Sequence, residues 1–399
     1  MSATSGQAAL DALVAGAEAA GTFALDTEFM GEGRYRTLLC LVQLAIPDET
    51  DGDPIAILDP LAGDLDAAPL ARILSDPAVR VVVHAGRQDV ALIRRWLGAE
   101  VTNVFDTQIA AGFVGLGAQS SYESLLAELL DVRLRKSASF TRWDSRPLSA
   151  EQLGYAREDV VHLLELAGEL QRRLQQSGRL AWALEECEPV ARSSDDRDPE
   201  VIFSRLPRLA GLSAPARTAA RELVEWRERT AARQDRPVQG VLSDAALIEI
   251  AKRRPSSGDE LERIRGIGSA RSGRLAQELL EAVRRAGERP PLAAPRDQRP
   301  PAPRPDDAQL VALSEALLRA RAREAGLAYE LLAARADLQA IVAASRTDGA
   351  EADVRTLRGW RRELVGEELL ALLGGKLALS VGHRNGERRL RVEDRADRA

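Results

Sequence analysis

Asp26 and Glu28 stand two residues apart in GTFALDTEF, a run of strand-forming residues. Side chains alternate across a strand, so both carboxylates point to one face. There they repel each other unless a cation lies between them; the bland alternative is a solvated strand face. Asp89 follows the apolar run VRVVVHA and opens a helix, where an aspartate can equally serve as a cap or dipole partner. Tyr155 and Asp159 are four residues apart in GYAREDV and share one helix face, with Glu158 turned away from it. Together these positions supply four carboxylates and a phenol. An oxygen-only set suits hard cations such as Mg²⁺ or Mn²⁺. Two such ions about 3.5–4 Å apart can stabilise both the attacking and the leaving oxygen of a phosphodiester, with the phenol orienting the water.

Particular elements must carry these groups. GTFALDTEF, LLCLVQLAI and DPIAILDP are strand candidates with short connections, which predicts a partly antiparallel meander. VRVVVHA is a fourth strand leading into a helix from Asp89 to Trp96, and VTNVFDT is a fifth that enters another helix. Helices dominate from about residue 120, so residues 1–190 read as a mixed α/β sheet with flanking helices. Asp106 reads as a helix cap and His84 as a satisfied core histidine, while His162 has no evident partner. A polar break covers 191–200, and 289–305 holds seven prolines, which marks an extended spacer. Residues 201–288 and 306–385 both read as all-helical, and 386–399 as a polar tail.

The DxE strand, the later helix aspartate and the YxxxD helix resemble the DEDDy exonucleases. VFDTQIAAGFVG (104–115) and LRKSASFTRWDSRPLSAEQLGYAREDV (134–160) narrow the resemblance to the ribonuclease D family. Residues 201–288, with LVEWRERTAARQDRPVQGVLSDAALIEIAKRRP, resemble an HRDC domain, and 306–385 a second, more divergent one. The resemblance implies a ribonuclease H-like exonuclease domain followed by two all-α HRDC-like domains. It places the family's catalytic roles on Asp26, Glu28, Asp89, Tyr155 and Asp159, the four carboxylates holding two divalent ions. It implies a 3′→5′ exoribonuclease that trims structured RNAs, tRNA precursors among them, to nucleoside 5′-monophosphates. Lys136, Arg142 and Arg146 are candidate phosphate contacts, or partners of nearby acids. Trp143 is a core residue or a stacking platform for a 3′ base.

Composition limits the remaining choices. Apolar residues at 45% and charged residues at 29% exclude a mostly disordered chain. No run of 18 apolar residues can span a membrane, and no secretory signal is evident at the start. Two distant cysteines, Cys40 and Cys187, form no disulfide framework, which points to a reducing cytoplasm, with a monomer as the default state. The net charge of −6 hides an asymmetry: 16 Lys+Arg against 28 Asp+Glu in residues 1–190, but 17 against 12 in 201–288. An acidic front suits cations and a basic middle suits phosphates. GGK at 374–376 lacks the flanking residues of a phosphate-binding loop, so helicase chemistry is not expected. A DNA exonuclease with the same carboxylates and a non-catalytic RNA-binding scaffold are the rival readings.

Overall fold

The computed structural model describes residues 4–47, 53–134, 142–267, 273–293, 304–347, 350–384 and 387–395. Five strands, β1 (Thr22–Met30), β2 (Leu38–Ala45), β3 (Ile55–Leu58), β4 (Arg80–Val83) and β5 (Val104–Asp106), form one sheet in the order β3-β2-β1-β4-β5. β1, β2 and β3 are antiparallel neighbours, whereas β4 and β5 run parallel to β1. This is the expected meander followed by strands with helical crossovers. β4 pairs with β1 only from Thr22 to Ala24, so the edge of β1 on that side is open from Leu25 onward.

The helices of this first block are α1 (Gln7–Ala20), α2 (Ala68–Ser75), α3 (Arg87–Leu97), α4 (Thr107–Phe113), α5 (Tyr122–Leu129), α6 (Ala150–Val161), α7 (Leu163–Gln176) and α8 (Leu180–Ala191). They sandwich the sheet. One apolar layer joins α1, α2 and α3 to one sheet face through Leu10, Leu13, Phe23, Leu44, Ile73 and Leu92. α6 and α7 cover the other face, with Ala156, Val160 and Leu163 buried.

The middle block comprises α9 (Pro199–Ser204), α10 (Ala214–Gln234), α11 (Val238–Val241), α12 (Asp244–Arg253), α13 (Gly258–Glu262) and α14 (Gly273–Glu288). It closes around its own core, including Leu223, Trp226, Leu247 and Leu279. Tyr35, from the β1–β2 connection, packs against that core and donates to Glu228 Oε2 at 3.0 Å. Arg197 pairs with the same carboxylate at 2.7 Å and lies over the Tyr35 ring at 5.2 Å.

The third block behaves differently. Its helices α15 (Asp307–Ala325), α16 (Tyr329–Leu332), α17 (Arg335–Ala344), α18 (Gly359–Arg361) and α19 (Glu367–Leu373) share one continuous apolar core with α4, α5, α7 and α8. Trp360 stacks on Trp182 at 5.0 Å and meets Phe113 edge-on at 5.3 Å. The buried Arg361 pairs with Glu186 of α8 at 2.6 Å. Arg179 donates to the carbonyls of Phe113, Gly326 and Ala325, tying the ends of α4 and α15 together. The segment read from sequence as a second HRDC-like block therefore has its apolar face completed by the first block.

The chain end also differs from expectation. Residues read as the end of a helical block and a polar tail form an antiparallel hairpin, β6 (Leu377–Arg384) and β7 (Glu387–Asp394). Leu377, Leu379 and Val392 pack on the shared core. The alternation of Leu390 and Val392 with Arg391 and Glu393 carries this strand, although the charge around it masks the pattern.

Candidate active site

β1 presents Asp26 and Glu28 on the face covered by α6, as the two-residue period requires. The register shifts immediately after Glu28, where Cys40 is the extra residue on β2. This bulge bends the strand and re-aims its end. α6 is fixed at its start by a reciprocal cap: Ser149 Oγ accepts from Gln152 N at 3.1 Å, and Gln152 Oε1 accepts from Ser149 N at 2.9 Å. One and two turns onward, Tyr155 and Asp159 face the sheet. Carboxylate oxygens of Asp26, Glu28 and Asp159 lie within 4.8 Å of one another.

Asp89 comes from the first turn of α3, at the open edge of β1, and lies beside that three-carboxylate cluster, not within it. It is buried and accepts a hydrogen bond from the Thr27 hydroxyl at 2.5 Å. Thr27 points to the opposite face from Asp26 and Glu28, and so anchors the fourth carboxylate. The turn that delivers Asp89 is organised by Asp106. Its Oδ1 accepts from Ala85 N at 3.0 Å and Gln108 N at 2.9 Å, and its Oδ2 accepts from Gly86 N at 3.0 Å. Ala85 adopts φ 53°, and a Cβ at Gly86 would lie 2.5 Å from Val83 Cβ, so only glycine fits there. Asp106 is thus the cap read from sequence, and it also holds the adjoining turn.

The electrostatics are those of crowded like charges. Burial and then Asp89, Asp159 and Glu28 push the Asp26 carboxyl well above the usual range. Burial, Asp159 and Asp89 raise Glu28 to about 8. Burial, then Glu158 and Asp89, raise Asp159 to about 7. Burial raises Asp89 to about 6, against the lowering pull of the Thr27 hydrogen bond. Burial and the three carboxylates Asp159, Glu28 and Asp26 also push the Tyr155 hydroxyl upward. Such a set is stable in its ionised form only with positive charge among the oxygens. The hard-oxygen donor set, spacing and mutual repulsion therefore fit a divalent cation.

The remaining predicted residues fall around this centre. Trp143 is buried and its ring centroid lies 6.1 Å from that of Tyr155, so it backs the tyrosine. Arg146 pairs with Asp59 through two contacts of 2.6 Å and donates to the carbonyls of Trp143, Ser145 and Cys40. Arg142 is exposed and pairs with Asp144 at 3.0 Å. Lys136 lies outside the described residues. His84 Nδ1 meets Thr107 Oγ1 at 2.9 Å, a satisfied histidine as read, and His162 Nδ1 lies 3.5 Å from Glu165. Sequence reasoning missed Thr27, Asp59 and Gln43. Gln43 is wholly buried directly across from Asp26, and its amide has no hydrogen-bond partner among the described residues. A glutamine inside the apolar run LLCLVQLAI was the available signal.

Comparison with known proteins identifies the family. A family profile described as 3′-5′ exonuclease matches residues 1–175, and an HRDC domain profile matches 217–283. Ribonuclease D of Gluconacetobacter diazotrophicus is 38% identical over 361 residues, spanning 90% of this chain and 88% of that protein. Ribonuclease D of Zymomonas mobilis is 36% identical over 94% of both chains. The crystal structure of Escherichia coli RNase D, described as an exoribonuclease involved in structured RNA processing, superposes with a TM-score of 0.76. It is 30% identical and covers 92% of this chain and 97% of its own. The chain therefore belongs to the ribonuclease D family of 3′–5′ exoribonucleases.

Proposed function

We propose that this enzyme is metal-dependent and trims the 3′ ends of structured RNAs, tRNA precursors among them, releasing nucleoside 5′-monophosphates. The observation that carries the reading is the convergence of Asp26, Glu28 and Asp159 within one ligand sphere, with Asp89 and Tyr155 beside it. Two divalent ions, Mg²⁺ or Mn²⁺, would be held by Asp26, Glu28, Asp89 and Asp159 and supply Lewis-acid stabilisation of the phosphodiester oxygens. Tyr155 orients the attacking water, and Trp143 keeps its ring in place. Thr27 and Asp106 hold Asp89 in register with the strand. Arg142, exposed next to Trp143, is suited to a terminal phosphate, whereas Arg146 is engaged by Asp59. Residues 201–288 and 306–385 would dock the body of the RNA while 1–190 hydrolyses it. The enzyme would act as a monomer in the cytoplasm, its two cysteines free and buried.

The test is a time course on 5′-labelled single-stranded RNA with Mg²⁺ or Mn²⁺, beside matched DNA and the Asp26→Asn variant. We expect a ladder receding from the 3′ end on RNA, lost in the variant while RNA binding persists. Equal turnover by Asp26→Asn would refute the site. Equal digestion of DNA would assign the carboxylates to both polymers, because they do not themselves read the 2′-OH.

A further inference from the structure

The acidic first block repels a polyanion, so a nuclease built on it needs positive charge elsewhere to hold its substrate. A cleft of about 490 Å³ between α15 and β7 supplies it. Its walls carry Arg319, Arg323, Arg388 and Arg389, all exposed, over a floor of small residues and Leu390. Arg319 and Arg323 are one helical turn apart, about 6 Å along the axis. The Arg319 guanidinium carbon lies over the Tyr329 ring, 4.3 Å from its centroid, a cation–π contact that helps hold the side chain in the cleft wall.

The contrast with neighbouring arginines is informative. Arg321, Arg335, Arg346, Arg355 and Arg362 each pair with a carboxylate of the same block. No carboxylate lies within ion-pair distance of Arg319, Arg323 or Arg388 among the described residues. The cleft's own carboxylate, Glu324, is engaged by Arg321 at 2.5 Å. Positive charge is thus gathered in a concave site, and that of Arg319, Arg323 and Arg388 has no ion-pair partner among the described residues. Guanidinium forks match phosphate oxygens in pairs.

We propose that this cleft is an RNA-backbone site that holds phosphates of the substrate's body while its 3′ end occupies the nuclease centre. The proposal rests on the exoribonuclease reading above. The site is invisible in the charge count, since residues 306–399 carry 16 basic and 16 acidic side chains. The folding of β7 against α15 separates the signs.

The experiment uses the full-length protein, a hairpin RNA with an unpaired 3′ tail, and a short single-stranded RNA. The Arg323→Ala/Arg388→Ala and Arg323→Lys/Arg388→Lys variants are compared with the parent. Binding is measured in chelator across a salt series, and hydrolysis separately with Mg²⁺. We expect the alanine variant to bind the hairpin at least tenfold more weakly near 0.1 M salt. The slope of log K against log salt should fall in magnitude by about 2 for two lost phosphate contacts. Its hydrolysis loss should be at least tenfold greater on the hairpin than on the short strand. The lysine variant should keep most of the slope, which a role in packing alone would not produce. Unchanged hairpin affinity and slope in a folded alanine variant overturns the cleft assignment. A parent that hydrolyses neither RNA overturns the underlying functional reading instead, and the two failures are separable.

Discussion

Asp26 is held in a half-buried position where Asp89, Asp159 and Glu28 all oppose its ionisation. Without cations the ionised cluster strains the fold, and with them it becomes a binding site. Removing one charge should therefore help the metal-free protein. In chelator at pH 8, Asp26→Asn should unfold about 2–4 °C higher than the parent, the shift expected for roughly 1 kcal/mol in a unit of this size. Adding Mg²⁺ should raise the parent's midpoint more than the variant's. Calorimetry showing a lower midpoint for the variant in chelator would contradict the crowding argument. At this scale much of the site was legible. The strand period fixed Asp26 and Glu28 on one face, and the i, i+4 spacing aligned Tyr155 with Asp159. Thr27 was not legible as Asp89's anchor, because the 62 residues between them hide which edge of β1 lies open.

Among the elements, the β4–α3 turn and the start of α4 hang on one carboxylate. Asp106 accepts from backbone N–H groups on both sides, and it is buried. Replacing it with alanine strands these donors, each at a cost of about 1–3 kcal/mol. Asp106→Ala should lower the unfolding midpoint and reduce turnover by moving Asp89, with Asp106→Asn intermediate in both. A variant with the parent's midpoint and rate would show that the turn holds its own shape. The cap was readable from its place before a helix; its second duty was not, because it depends on the left-handed backbone at Ala85. The terminal hairpin was missed for a related reason. Exposed arginines interrupt a two-residue alternation whose buried members number few.

Across the whole molecule, the two helical blocks relate differently to the nuclease. Amphipathic spacing announces that a face is buried but not what buries it, so both blocks look alike in sequence. In the fold, Trp226 lies in a core of its own, whereas Trp360 closes the core shared with α4 and α8. Trp360→Ala should cost about 3–5 kcal/mol and lower the transition that reports loss of hydrolysis of a short RNA. Trp226→Ala should shift a separate transition and leave that hydrolysis in place. Parallel calorimetry and activity-loss curves distinguish the two, and coincident effects would mean that all three blocks unfold as one.

The shared core also fixes an order of events during synthesis. The first block emerges from the ribosome with α4, α7 and α8 lacking their cover, while the middle block can close as soon as it is made. Trp360, Leu372 and then Val392 of the hairpin arrive later. At 5–20 residues per second, the nascent chain waits roughly 10–40 s between completing α8 and completing the core. Through that interval the apolar face formed by α4, α7 and α8 stays open to whatever the nascent chain meets.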